Sequence, residues 1–151
     1  MADLHKLLRL HKFMRLSTQE RRLLLEAYSL LNAIRLGLWL LPFVGLCNYL
    51  DKIYTSPSAD FQQLSISLIT RTVNISSRYS PGYPKCLARA LTTQVLMRRR
   101  GYSPELKIGV MRGITGQFEA HAWIEYGGSV VIGDLANLKS FTPLPALRRQ
   151  R

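Results

Sequence analysis

Apolar residues recur every three or four positions between Leu23 and Val95, and every second position from Leu106 onward. This change of period constrains the fold more than any other feature. A helix returns a face to the core about every 3.6 residues, and a strand every second residue. Helices first and antiparallel strands second is the α+β order. A length of 151 residues suits one compact unit, and 47% apolar residues are enough to fill a core and exclude a wholly disordered chain.

The local signals place the elements. Ser17 and Glu20 fit a capping box, so Gln19 to Ile34 reads as a helix with the stripe Leu23, Ala27, Leu30, Leu31, Ile34 and Leu38. The pattern turns apolar all round near Trp39, so that end is expected to be enclosed. Pro42 is expected to break or kink it. No charge falls between Arg35 and Asp51, a run of fifteen residues interrupted by Pro42 and Gly45. A membrane span needs about 20 apolar residues, so Leu36 to Leu50 reads as a buried core helix. Ser58 is the candidate N-cap of a second helix with Phe61, Leu64, Leu68, Ile69, Thr72 and Ile75 on its face, ending before Ser80-Pro81-Gly82. A third helix is expected from Lys85 to Arg100, with the stripe Leu87, Ala90, Leu91 and Val95 and with Gly101 as its C′ residue. Leu106 to Met111 and Phe118 to Tyr126 then read as strands. Gly127-Gly128 reads as a two-residue hairpin turn, and Ser129 to Gly133 as the returning strand. From Leu135 the chain reads as loop.

Lysine and arginine number 21 against 9 aspartate and glutamate, a net charge of +12. Such a balance points to a class of partner, nucleic acid or an anionic surface, and not to an activity. Aromatic residues do not interleave with the basic ones as stacking platforms would, so no nucleic acid is expected. Arg98, Arg99 and Arg100 read as a solvated helix end whose cations oppose the negative end of the helix dipole. His5 and His11 read as surface groups near the start. Two cysteines cannot form a disulfide framework, and no Cys-x-x-Cys pair suggests a metal. No apolar run lies near enough to Met1 to act as a signal peptide, so a reducing, cytoplasmic setting is expected. Asn74-Ile75-Ser76, a glycosylation pattern, falls inside an expected helix and is set aside. The zinc deaminase pattern fails because His121-Ala122-Trp123 lacks its glutamate.

Three residues carry chemistry when weighed together. Cys86 follows Pro84 and Lys85 at the expected start of the third helix, where unpaired N–H groups and the positive dipole end lower a thiol's pKa. A thiolate there is a nucleophile. If Gly127 and Gly128 form the turn, residue numbers paired across the hairpin sum to 255, which sets His121 opposite Asp134. Opposed residues share a face, within reach for a carboxylate to orient an imidazole. A one-residue bulge would spoil that register. Taken singly, an early helical cysteine is more often a small buried apolar residue, and a strand histidine more often structural. Cys47, inside the apolar run, reads as core.

Cys86-Leu87-Ala88-Arg89-Ala90-Leu91, Leu96 to Tyr102, Ile108-Gly109-Val110, His121 to Glu125 and Gly133-Asp134 together resemble the transglutaminase-like core of lasso peptide B proteins, in their stand-alone leader peptidase form. The resemblance covers about Ser80 to Leu144, and Glu26-Ala27 and Leu41-Pro42-Phe43 resemble that family's helical lead-in. It implies a helical segment over 1–79, a papain-like core over 80–144 with the nucleophile helix packed on a small antiparallel sheet, and a basic tail over 145–151. It further implies a cysteine protease that removes the leader from a ribosomally made precursor peptide, with Cys86 as nucleophile, His121 as general base and acid, and Asp134 orienting His121. No cofactor or metal is implied. The expected partners are that precursor, a separate leader-recognition protein, an ATP-dependent macrolactam cyclase and a membrane-bound exporter. The first eighty residues lack the strands a built-in recognition domain would require. The rival readings are another transglutaminase-like peptidase or acyl transferase, a basic nucleic-acid-binding protein, and a membrane-surface adaptor using the Leu36 to Leu50 segment and the basic N-terminus.

Overall fold

A computed structural model describes residues 15–53, 64–82 and 86–145. Among the described residues four helices precede a four-stranded antiparallel sheet, the α+β arrangement expected from the change of period. The helices are α1 (Thr18–Leu40), α2 (Phe43–Ile53), α3 (Ile66–Tyr79) and α4 (Cys86–Arg98). The strands are β1 (Glu105–Arg112), β2 (Phe118–Tyr126), β3 (Ser129–Ile132) and β4 (Thr142–Pro143), in the order β3-β2-β1-β4. The sequence reading took everything past Leu135 as loop. The short 3₁₀ turn Leu138–Ser140 instead leads into β4, which pairs with β1 at Gly109 and Val110.

The capping box is present. Ser17 Oγ accepts from the Glu20 amide at 3.2 Å, and the Glu20 carboxylate accepts from the Ser17 amide at 2.9 Å. This satisfies two donors that a helix start would otherwise leave open. The helix runs on to Leu40, past the expected Ile34, and ends before Pro42. α3 starts later than expected. Its N-cap is Ser65, whose hydroxyl accepts from the Leu68 amide at 3.3 Å. Ser58 and Phe61 lie outside the described residues, as do Pro84, Lys85, His5 and His11.

Helix α4 is the centre of the molecule. One apolar stripe was expected of it, but Ala88, Ala90, Leu91, Thr92, Thr93, Val95, Leu96 and Met97 are all buried. It is enclosed by α1 and α3 on one side and by the sheet on the other. Its two threonines survive there because their hydroxyls donate to the Ala88 and Arg89 carbonyls at 2.7 and 3.0 Å. Ala122 and Ile124 of β2 join Ala90, Leu96 and Met97 of α4 and Leu23 and Ala27 of α1 in a single core cluster. A second cluster joins Leu31 and Ile34 of α1 to Leu46 and Leu50 of α2 and to Leu91 and Val95 of α4.

The α4 terminus overturns the reading of Arg98, Arg99 and Arg100 as a solvated helix end. Arg98 pairs with Asp51 at 2.6 Å, and Arg99 and Arg100 each pair with Glu26 at 2.8 Å. Burial pushes the Glu26 carboxyl up, but hydrogen bonds and charge from Arg100 and Arg99 outweigh it and hold the group below the ordinary carboxylate range. The arginines therefore tie α4 to α1 and α2. Gly101 is the C′ residue as expected. The Gly101 amide bonds to the Arg98 carbonyl at 3.0 Å and the Tyr102 amide to the Met97 carbonyl at 3.1 Å, which is a Schellman closure.

Trp39 is likewise a correction. It was expected inside, but it is 82% exposed. Helix α1 packs against the core through Leu23, Ala27, Leu31 and Ile34, and beyond Ile34 none of its residues is buried. The apolar run is not one core helix. Pro42 splits it, and α2 turns back so that Leu46 lies over Gly37, where an added Cβ would meet the Leu46 Cδ1 at 2.8 Å.

Candidate active site

Cys86 is the first described residue of α4, and the expected start at Lys85 lies outside the described residues. With Arg89 and Ala90 of the same helix, Ala122 of β2, Ile132 of β3 and Gly133, Cys86 lines a narrow, shallow hollow. Arg89 lies one helical turn after Cys86. Its Nη2 donates to Asn74 Oδ1 of α3 at 2.5 Å, whereas its Nε is buried with no hydrogen-bond partner among the described residues. A buried donor without an acceptor costs about 1–3 kcal/mol. The sequence reading quoted Arg89 without a role. The signal that could have found it was its spacing of three from Cys86, which sets both on one helical face.

The other wall is set by the β2–β3 hairpin. Gly127 and Gly128 both have positive φ, 58° and 78°, as a tight hairpin turn requires. Tyr126 pairs with Ser129 and Glu125 with Val130, so the first pairs sum to 255 as expected. The next pair is Ile124 with Ile132, and the register has slipped by one at Val131. This bulge corrects the direct opposition of His121 and Asp134. Its physical reason is burial. In a regular hairpin Val131 and Ile132 would point to opposite faces, but here Ile132 is buried in the core and Val131 packs against it. Gly133 then turns the chain at φ +86°, so close over β2 that an added Cβ would meet the Ala122 carbonyl oxygen at 2.8 Å.

His121 shares a strand face with Trp123, whose ring it stacks on at 6.1 Å between centroids. It also contacts the Phe141 ring at 5.6 Å. Its Nε2 lies 2.6 Å from the Gly133 carbonyl oxygen. A carbonyl only accepts, so in the neutral ring Nε2 carries the proton and Nδ1 remains the base. Asp134 is exposed, and among the described residues no hydrogen bond joins its carboxylate to His121. None joins Cys86 Sγ to the imidazole either. The structure thus brings Cys86 and His121 to the two sides of one residue, Gly133, and leaves Asp134 one residue beyond. Cys47 is partly buried against the second core cluster, and burial followed by the Asp51 charge pushes its thiol up, away from the reactive form.

A family profile described as the transglutaminase-like superfamily matches residues 29–146. The match spans more than half of the chain and takes in most of α1 and all later described elements, so the chain belongs to that superfamily. No curated protein and no solved structure matches it.

Proposed function

We propose that the chain is a cysteine peptidase that removes the leader from a ribosomally made lasso precursor peptide, with Cys86, His121 and Asp134 as its working groups. The observation that carries the reading is Cys86 opening α4 beside a hollow whose Gly133 wall also holds the His121 imidazole, within a transglutaminase-like chain. Superfamily membership is consistent with a peptidase or an acyl transferase. The resemblance of the Cys86 to Asp134 motifs to leader peptidases favours the former.

The chemistry follows from the groups. The Cys86 thiol gives its proton to His121 Nδ1, and its sulfur attacks the scissile carbonyl to form a C–S bond. The Cys86 amide near the helix start is the donor for the developing oxyanion. The imidazolium returns its proton to the leaving core amine as the C–N bond breaks. Water, activated by the same imidazole, then hydrolyses the thioester and frees the leader as an acid. The Gly133 carbonyl fixes the ring, and the nearby Asp134 carboxylate stabilises the imidazolium. The thiol and ring close to hydrogen-bond distance in the substrate complex, as such pairs often do only then. The reading includes a separate leader-recognition protein, a macrolactam cyclase that takes the freed amine, and a cytoplasmic setting.

The test is a cleavage assay with precursor, recognition protein and this chain. Cys86→Ala and His121→Ala should abolish leader release and Cys47→Ala should spare it. Full activity of Cys86→Ala would sink the reading. Transfer of the acyl group to an added amine in preference to water would assign an acyl transferase instead.

A further inference from the structure

The tip of the α1–α2 hairpin stands apart from the core. Leu36, Trp39, Leu40, Leu41 and Val44 are all exposed, with Leu40 at 61% and Trp39 at 82%. By length and composition α1 could cross a membrane, but Leu23, Ala27, Leu31 and Ile34 tie it into the core, so a span would tear the fold apart. What is left for another phase is the tip.

Charge says which surface the tip meets. Residues 1–104, which include the hairpin, hold fifteen basic and five acidic residues, whereas residues 105–145 hold three basic and four acidic. The excess positive charge therefore belongs to the half that carries the tip. No charge of either sign falls between Arg35 and Asp51, so the tip itself is neutral and the attraction comes from the basic residues around it. Among them is Arg35, which lies one turn before Trp39 and donates to the Pro81 carbonyl. Exposed Trp and Leu at a helix corner, together with cations and few carboxylates, are the composition of segments that lie in the headgroup region of anionic bilayers.

We propose that the hairpin tip docks the protein on the surface of an anionic phospholipid bilayer, inserting Trp39, Leu40, Leu41 and Val44 among the headgroups while the basic helical half attracts the surface. The proposal is independent of the reaction assigned to Cys86.

The protein carries its own probe. Of its two tryptophans, Trp39 is exposed and Trp123 is 3% exposed, so a change of emission on binding reports the tip. The full chain is mixed with vesicles of phosphatidylglycerol and phosphatidylcholine, and separately with phosphatidylcholine alone. Expected are co-sedimentation and a blue shift with the anionic vesicles, weakened by salt, and little of either with the neutral ones. Trp39→Ser with Leu40→Ser should weaken partitioning by about tenfold or more, at unchanged circular dichroism, because both side chains are already in water. Absence of partitioning, or partitioning that the double variant leaves unchanged, overturns the proposal. A concentration-dependent dimer lost in the variant, with no vesicle binding, also overturns it and assigns the tip to a second copy of the chain. Leader release by the double variant in vesicle-free solution should stay at the parent level, so failure of the peptidase reading shows separately.

Discussion

The C-terminal end of α4 is closed by a Schellman turn and by ion pairs from Arg98, Arg99 and Arg100. Its N-terminal end opens at Cys86 onto a hollow where Arg89 Nε has no partner among the described residues. One helix thus has one terminus closed by pairing within the fold and another that lines a hollow. Polar groups at the closed end have found partners within the fold. At the open end Arg89 is held by Asn74, and its Nε is buried without a partner among the described residues. Stability and activity should therefore separate along α4.

Cys86→Ala gives the widest separation. Leader release should fall by more than about 10³-fold, the scale on which a lost nucleophile is felt. The unfolding midpoint should stay close to that of the parent. A large loss of stability would mean that Cys86 is a packing residue and the contrast between the ends is false. Gly133→Ala comes next. Its Cβ would strike the β2 backbone at a positive φ, so the peptide holding His121 must move. A loss of about 2 kcal/mol in stability is expected. Turnover measured well below the melting point should fall by about tenfold or more, with a shifted pH profile. Unchanged turnover would show that the carbonyl does not position the ring.

Asp134→Asn sharpens the same point. With the carbonyl on Nε2 and the carboxylate exposed, turnover should fall by about tenfold or less. A loss on the order of 10⁴-fold would show that the carboxylate takes over the ring in the substrate complex. Glu26→Gln tests the closed end. It should cost about 1–2 kcal/mol by chemical denaturation, since the pairs are partly solvated, and leave turnover per folded molecule unchanged. The smallest effect is on pH. The Glu26 carboxyl is lowered in the folded protein, so its stabilisation is fully present above the ordinary carboxylate range. It is lost as the pH falls through that range towards the folded value. Acid denaturation of Glu26→Gln should therefore be shallower than that of the parent.

Much of the fold was legible because its signals are local. The Ser17–Glu20 box, Pro42, Gly101 and Gly127-Gly128 each act over a few residues and sit where the sequence places them. The helix that carries Cys86 was legible in the same way. The relation between His121 and Asp134 was not. Counting from the turn holds only while the ladder is regular, and the competing demand to bury Ile132 with Val131 against the helices inserts a bulge. The arginine triplet misled for a similar reason: Glu26 and Asp51 lie far away in the chain, and only packing brings them to the end of α4.

The sequence by itself determined the order of the helices and first three strands, the cap of α1, the hairpin turn, and the cysteine near a helix start. Hydrogen bonds and steric limits within a few residues dictate those. Tertiary structure alone decided which carbonyl meets His121, which charges are neutralised and which apolar residues face water. Each depends on two segments competing for one place, and the larger gain in burial decides. That is why Ile132 lies inside while Trp39, as apolar as its neighbours in sequence, stands at a corner the core does not reach.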